Sequence, residues 1–259
     1  MAEKQNFGDG ESRKVISTNF SMAFTPGLQV HNARGEKFSI QVVQMGELLI
    51  TSGSIVACDP FWLNLAPRAY TTQVPLGKFP VFISIAELIG RQDRRIACAK
   101  LLFSPQDVAR WEMAIVPGQD VSNLQPGQHF CYGVDAGTGC FVDIDVVTWL
   151  FEQAGTLDLE KWRGLPDRMV DMPDEQAEMV DAVYNYFETT VDTRLYETST
   201  PEVYPQYGEI ELNDTTSGNL VYFSSGWGDG CYASYFGYAA DNSLACLVTD
   251  FAVLFGARP

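Results

Sequence analysis

Asp59, Asp135 and Asp229 are the residues whose type and setting point first to chemistry, because each stands at or near the end of a strand-like apolar run. Carboxylate oxygens are what Mg²⁺ and Mn²⁺ prefer as ligands. If those three strand ends share one edge, the acids would converge on such an ion, which could activate water for hydrolysis. Two of them could instead share a proton and work as general acid and base. The surrounding glycines strengthen the pattern. In Asp135-Ala136-Gly137-Thr138-Gly139 an acid is followed by a glycine-rich turn, the arrangement that frees backbone N–H groups to face an anion. The same residues also fit a tight structural turn, for which glycine is the default. In Ser225-Gly226-Trp227-Gly228-Asp229-Gly230 three glycines surround one Trp and one Asp, more than a two-residue hairpin needs. Candidate catalytic and metal-binding residues are therefore Asp59, Asp135 and Asp229, and candidate substrate contacts are Gly137, Thr138, Gly139, Ser225 and Trp227.

Other chemistries find less support. The only histidines are His31 and His129, and no G-x-S-x-G elbow accompanies either. A phosphate loop ending in Lys-Ser or Lys-Thr is absent. Strand alternation places His129 and Cys131 on one face, but a zinc site would need further ligands. A Cys140–His129 nucleophile pair rests on composition alone. The six cysteines, Cys58, Cys98, Cys131, Cys140, Cys231 and Cys246, sit mostly in apolar runs and form no C-x-x-C pair. They are expected to be reduced, buried and without a disulfide framework.

The elements that must position these residues are mostly strands. Lys37 to Val43, Glu47 to Thr51, Ser54 to Cys58, Phe79 to Ile85, Arg94 to Phe103, Trp111 to Val116, Gln128 to Val134, Leu220 to Ser224, Tyr232 to Tyr238 and Leu244 to Phe251 are short apolar or alternating runs bounded by turn residues. Ser52-Gly53 reads as a turn making a hairpin of its flanking strands, and Ala240-Asp241-Asn242-Ser243 as another. Short connections favour antiparallel pairing. A short helix is expected from Ser104-Pro105, where serine would cap and proline occupy the first turn. A second should be capped by Asp143 or Asp145. The longest should run from near Pro173 to about Leu195, with Val180, Tyr184, Phe187, Val191 and Leu195 on its apolar face. Glu197 to Asn213 reads as a surface loop. The fold class is α+β: a largely antiparallel sheet system, with two packed sheets as one form of it, and one long and a few short helices. One globular domain over residues 15–259 is expected, after a loose tail at 1–14 and with a helical acidic segment at about 143–213.

Charge narrows the partners. The chain has 259 residues and a formal net charge of −16. From Asp158 to Asp214 there are fifteen acidic residues against four basic ones, a surface that would repel a polyanion. Nucleic acid is not expected as a partner; a small-molecule substrate or a basic protein is. No apolar run approaches the roughly 20 residues a membrane helix needs. The polar start, Met1 to Ser12, lacks an apolar signal core, so a cytoplasmic location is expected.

Several blocks together are similar to one family. Thr51-Ser-Gly-Ser-Ile-Val-Ala-Cys-Asp59-Pro, Val74-Pro-x-Gly77-x-Phe-Pro80-Val, Arg110-Trp111-Glu112, Gly133-Val-Asp135-Ala-Gly-Thr-Gly-Cys140-Phe, Phe223-Ser-Ser-Gly-Trp-Gly-Asp-Gly230 and Thr249-Asp250-Phe resemble the bacterial domain of unknown function numbered four-two-four-one. The likeness spans about Ile50 to Leu254. It implies a bacterial, soluble protein and no activity or cofactor. Three readings stand: a metal-assisted hydrolase acting on a small phosphorylated or nucleotide-like substrate, an acidic immunity-type protein neutralising a basic partner, and a structural subunit.

Overall fold

The computed structural model describes residues 15–16, 18–155, 158–163, 174–199, 204–213 and 218–255. The expected tail at 1–14 lies outside the described residues. The described residues form thirteen strands: β1 (Val15–Ile16), β2 (Gln29–His31), β3 (Lys37–Ile50), β4 (Ile55–Cys58), β5 (Gly77–Leu88), β6 (Arg94–Leu102), β7 (Arg110–Met113), β8 (Tyr132–Val134), β9 (Thr138–Asp143), β10 (Tyr207–Asn213), β11 (Gly218–Ser224), β12 (Gly230–Tyr238) and β13 (Leu244–Asp250). A large sheet has the order β1-β7-β12-β13-β6-β5-β3-β2, with β8 also paired to β12. A smaller one has the order β10-β11-β9-β4. Every described pairing is antiparallel, as short connections require.

Strand alternation decides what lies between the layers. Ile55 and Ala57 of β4, with Phe141 of β9 and Val221 and Phe223 of β11, face the core shared with the large sheet. Val56, Cys58, Cys140, Val142, Leu220 and Tyr222 point the other way, toward the helices. Both faces of the small sheet are thus covered, and every residue of β11 is buried. The helices on its outer face are α1 (Ile144–Gln153), α2 (Leu159–Arg163), α3 (Asp174–Phe187) and α4 (Thr193–Thr198). Asp143 caps α1, its Oδ1 accepting from the Asp145 N–H at 2.8 Å. A π-helical turn, Glu188–Asp192, joins α3 to α4 into one long rod. Its apolar face is Val180, Val183, Phe187, Val191 and Leu195, so Val183 takes the place expected of Tyr184, which is 42% exposed.

Polar side chains of the small sheet seal the stretch of β3 that lies beyond its short partner β2. Asn219 Oδ1 accepts from Leu49 N–H and its Nδ2 donates to the Glu47 carbonyl, at 3.0 and 2.7 Å. Asp143 Oδ2 accepts from the N–H groups of Thr51 and Ser52. Backbone groups left unpaired on a strand edge would otherwise cost stability or invite another chain.

Several expectations change. The two strands expected between Lys37 and Thr51 are one, Lys37–Ile50, carrying a register shift between Gln44 and Gly46. The Ser52-Gly53 turn does not make a hairpin, because it carries the chain from one sheet to the other: β4 pairs with β9. Ser104 Oγ accepts from Gln106 N–H, but this is an isolated turn and no helix follows. The end of the expected loop at 197–213 is β10, held against β11. Cys131 and Cys231 form a disulfide, which corrects the expectation of six reduced cysteines; Cys58, Cys98, Cys140 and Cys246 are free and buried.

Candidate functional site

The three motif segments do come together, and what joins them is a network of backbone hydrogen bonds. Asp59 follows β4 and caps the short 3-10 helix Pro60–Leu65. Its Oδ1 accepts from Phe61 N–H at 3.0 Å, and its Oδ2 accepts from Asp135 N–H at 2.9 Å and Ala136 N–H at 2.8 Å. The carboxylate is completely buried. Burial pushes its pKa above the ordinary range, and the three N–H donors pull it part of the way back. The glycine-rich turn does cradle an anion, then: the chain's own Asp59.

The second loop rests on the first. Ser225 N–H donates to the Gly137 carbonyl at 2.9 Å, and a β-carbon on Gly137 would lie 3.7 Å from Gly228 Cα. Ser225 Oγ and Tyr232 Oη both donate to the Gly228 carbonyl, at 2.7 and 2.8 Å. Gly226 is needed for two reasons: its φ is +59°, and a β-carbon there would meet Phe251 Cβ at 2.7 Å and the Ile96 carbonyl at 2.9 Å. Trp227 anchors the loop, its Nε1 donating to the Ala252 carbonyl at 3.1 Å, with the Arg95 guanidinium 4.3 Å from the ring centre. Thr138 and Gly139 belong to β9, and Thr138 Oγ1 bonds the Ala136 carbonyl.

Asp135 and Asp229 are exposed and flank the end of the β8–β12 ladder, where Val134 opposes Gly230. Among the described residues no group of three or more His, Cys, Asp and Glu side chains is placed to hold a metal ion. Cys131 is spent in the disulfide, His129 is exposed, and Cys140 is buried against Cys58, so these residues supply neither zinc ligands nor a nucleophile pair.

Beside the Asp59 clamp opens a cleft of about 530 Å³. Its walls come from Ala57, Cys58, Trp62 and Leu65 around the 3-10 helix, from Ala114 and Val116 after β7, and from Phe130 to Asp135. Trp62 and Leu65 are 42% and 43% exposed, large apolar surfaces that a buried core would normally claim. Polar groups are few. Ser234 and Tyr70 line the cleft and are buried. Ser234 Oγ shares a 2.7 Å hydrogen bond with Thr249 Oγ1. Tyr132 also lines it, and its buried hydroxyl lies beside Thr249. Burial pushes the Tyr70 and Tyr132 hydroxyls well up, so both stay protonated and able to donate. Arg68, also on the lining, pairs with Glu160 at 3.2 Å in an exposed contact.

Of the residues singled out from the sequence, Asp59 and Asp135 line this cleft; Gly137, Thr138, Gly139, Ser225, Trp227 and Asp229 are not on its lining. Trp62, Leu65, Arg68, Phe130, Tyr132 and Ser234 were not singled out. The run Phe61-Trp62-Leu63-Asn64-Leu65 is the one local signal of them, because it holds more large apolar residues than one helical turn can bury.

A two-sheet antiparallel α+β fold organised around interlocked glycine loops is the class this geometry defines. The family described as "Protein of unknown function (DUF4241)" matches residues 48–249, and the chain belongs to that family. No curated protein and no solved structure gives a significant match. Among the described residues no helix is long and apolar enough to cross a membrane.

Proposed function

We propose that this protein binds a small organic molecule in the cleft beside Asp59, with an apolar or aromatic body held among Trp62, Leu65, Phe130 and Val116. The observation that carries the reading is a largely apolar cavity of about 530 Å³ whose walls include the exposed side chains of Trp62 and Leu65. Ligand sites combine apolar walls with a few placed polar groups, and covering the apolar surfaces of Trp62 and Leu65 lowers the free energy. Arg68 would meet an anionic end of the ligand, since its exposed pairing with Glu160 contributes little and is readily exchanged. Binding is favoured over hydrolysis because Asp59, one of the two acids on the lining, is occupied: both its oxygens accept from backbone N–H groups. The hydrogen bond with Cys140, then burial, push the Cys58 thiol well above its ordinary pKa, which disfavours its thiolate at neutral pH and leaves it a slow nucleophile.

The test uses 8-anilinonaphthalene-1-sulfonate, which has an aromatic body and an anionic end. Fluorescence titration of the folded protein should saturate at one site per chain and weaken severalfold in Trp62→Ala or Arg68→Ala. Absence of saturable binding, or equal binding by all three proteins, overturns the reading.

A second reading, recognition of a basic protein, draws on a hollow on the helical face where Glu188 and Asp192 lie with the exposed Tyr184 and Tyr196. Acidic faces speed encounter with basic partners. Affinity capture with the wild type but not with Glu188→Gln/Asp192→Asn, at low salt only, would favour it; identical captures would remove it.

A further inference from the structure

Cys58 closes β4 and Cys140 lies in β9, and the two are partners in the antiparallel register. Their sulfurs are 3.6 Å apart, and both thiols are free and buried. Opposed residues on antiparallel strands have Cα atoms roughly 4.5–5.5 Å apart, which falls inside the roughly 4.4–6.8 Å range that a disulfide spans. The backbone is therefore already where a cross-link needs it, and only the sulfurs have to close. The other two free cysteines are not so arranged: Cys98 opposes Asp250 and Cys246 opposes Leu102 across the β6–β13 ladder. Access differs within the pair as well. Cys58 is on the lining of the cleft and Cys140 is not.

We propose that Cys58 and Cys140 form a redox dithiol, closed to a disulfide by a small peroxide that reaches Cys58 through the cleft. Cys58 sulfur attacks one peroxide oxygen, taking it up as a sulfenic acid while the other oxygen leaves as water. Cys140 sulfur then attacks the Cys58 sulfur; the sulfenic hydroxyl departs with the Cys140 proton as a second water. Two thiols and one hydrogen peroxide become one disulfide and two waters, and a dithiol reductant reverses the change. Because burial disfavours the thiolate, the reaction should be slow beside that of an exposed thiol and faster at higher pH. The closed bond would tie β4 to β9 immediately before Asp59, fixing the strand that carries the clamp and one wall of the cleft. The covalent readout does not depend on whether the cleft holds a ligand.

The folded protein is treated with millimolar hydrogen peroxide, unfolded in iodoacetamide and digested, and its peptides are analysed by mass spectrometry. The expected product is a Cys58–Cys140 cross-linked peptide lost on treatment with dithiothreitol, with Cys98 and Cys246 still alkylated. In Cys140→Ser, Cys58 should stop at the sulfenic acid and be trapped by dimedone. Alkylation of both Cys58 and Cys140 in the treated wild type, or their separate conversion to sulfinic acids, overturns the proposal even if that variant does not fold.

Discussion

Replacing Asp59 by alanine removes the acceptor of three backbone N–H groups, those of Phe61, Asp135 and Ala136. Each buried donor left unpaired costs about 1–3 kcal/mol. Two effects offset part of that sum: the variant no longer buries a carboxylate, whose raised pKa records the burial penalty, and the exposed Asp135 turn can take up water. The expected loss for Asp59→Ala is about 3–5 kcal/mol, which lowers the unfolding midpoint by about 10 °C in a chain of this size. Asp59→Asn keeps one acceptor oxygen and should fall between wild type and alanine. Asp135→Asn and Asp229→Asn alter exposed side chains and should stay within about 0.5 kcal/mol. Urea unfolding followed by circular dichroism separates the three positions. A loss below about 1 kcal/mol for Asp59→Ala, or a gain such as removal of a strained active-site group often brings, would refute the clamp.

Burial pushes the Asp250 carboxyl up to about 7, with the Ala252 N–H opposing the shift. Between its ordinary range and about 7 the folded chain holds a proton that the unfolded chain has lost, so stability should fall as pH rises through that window. Asp250→Asn should flatten the dependence of the urea midpoint between pH 5 and 8; an unchanged slope counts against it. Gly226→Ala must place a β-carbon against Phe251 and the Ile96 carbonyl at φ +59°, and should destabilise by more than about 2 kcal/mol; a thermal melt within a degree or two of wild type would contradict the loop geometry. Removing the Cys131–Cys231 bond, which spans 100 residues of sequence, should cost about 2–4 kcal/mol by urea unfolding of the Cys131→Ser/Cys231→Ser protein, and equal midpoints would deny it a stabilising role.

What local signals carry was legible from the residues. β5 and β6 emerge from their apolar runs, the β12–β13 hairpin from a turn in which Asn242 takes φ 68°, and α1 from its Asp143 cap. The helical rod followed from its apolar spacing, with an error at Tyr184 that a single residue's shift in helical phase explains. Non-local pairing was not legible. Ser52-Gly53 reads as a hairpin turn because turn chemistry reports a change of direction and not which sheet receives the next strand. Asp59 before Pro60 fits a helix cap and a metal ligand equally well, and the two N–H donors that decide between them lie 76 and 77 residues away. Cys131 and Cys231 are likewise set apart by 100 residues, with no spacing motif to join them. The cleft is assembled from four separate stretches of chain, so only the surplus apolar residues at Trp62 and Leu65 hinted at it.

The most direct test of the ligand-binding account is to block the cleft without disturbing the fold. Gly133 is exposed on the cleft lining, and a β-carbon there meets no atom within 4 Å. Gly133→Trp should therefore fold with a circular dichroism spectrum and thermal midpoint like the wild type while its indole fills the cavity. Titrated with 8-anilinonaphthalene-1-sulfonate, the wild type should bind at one saturable site and Gly133→Trp should lose at least about tenfold in affinity, some 1.4 kcal/mol. A normally folded Gly133→Trp that binds the probe as tightly as the wild type would contradict the account.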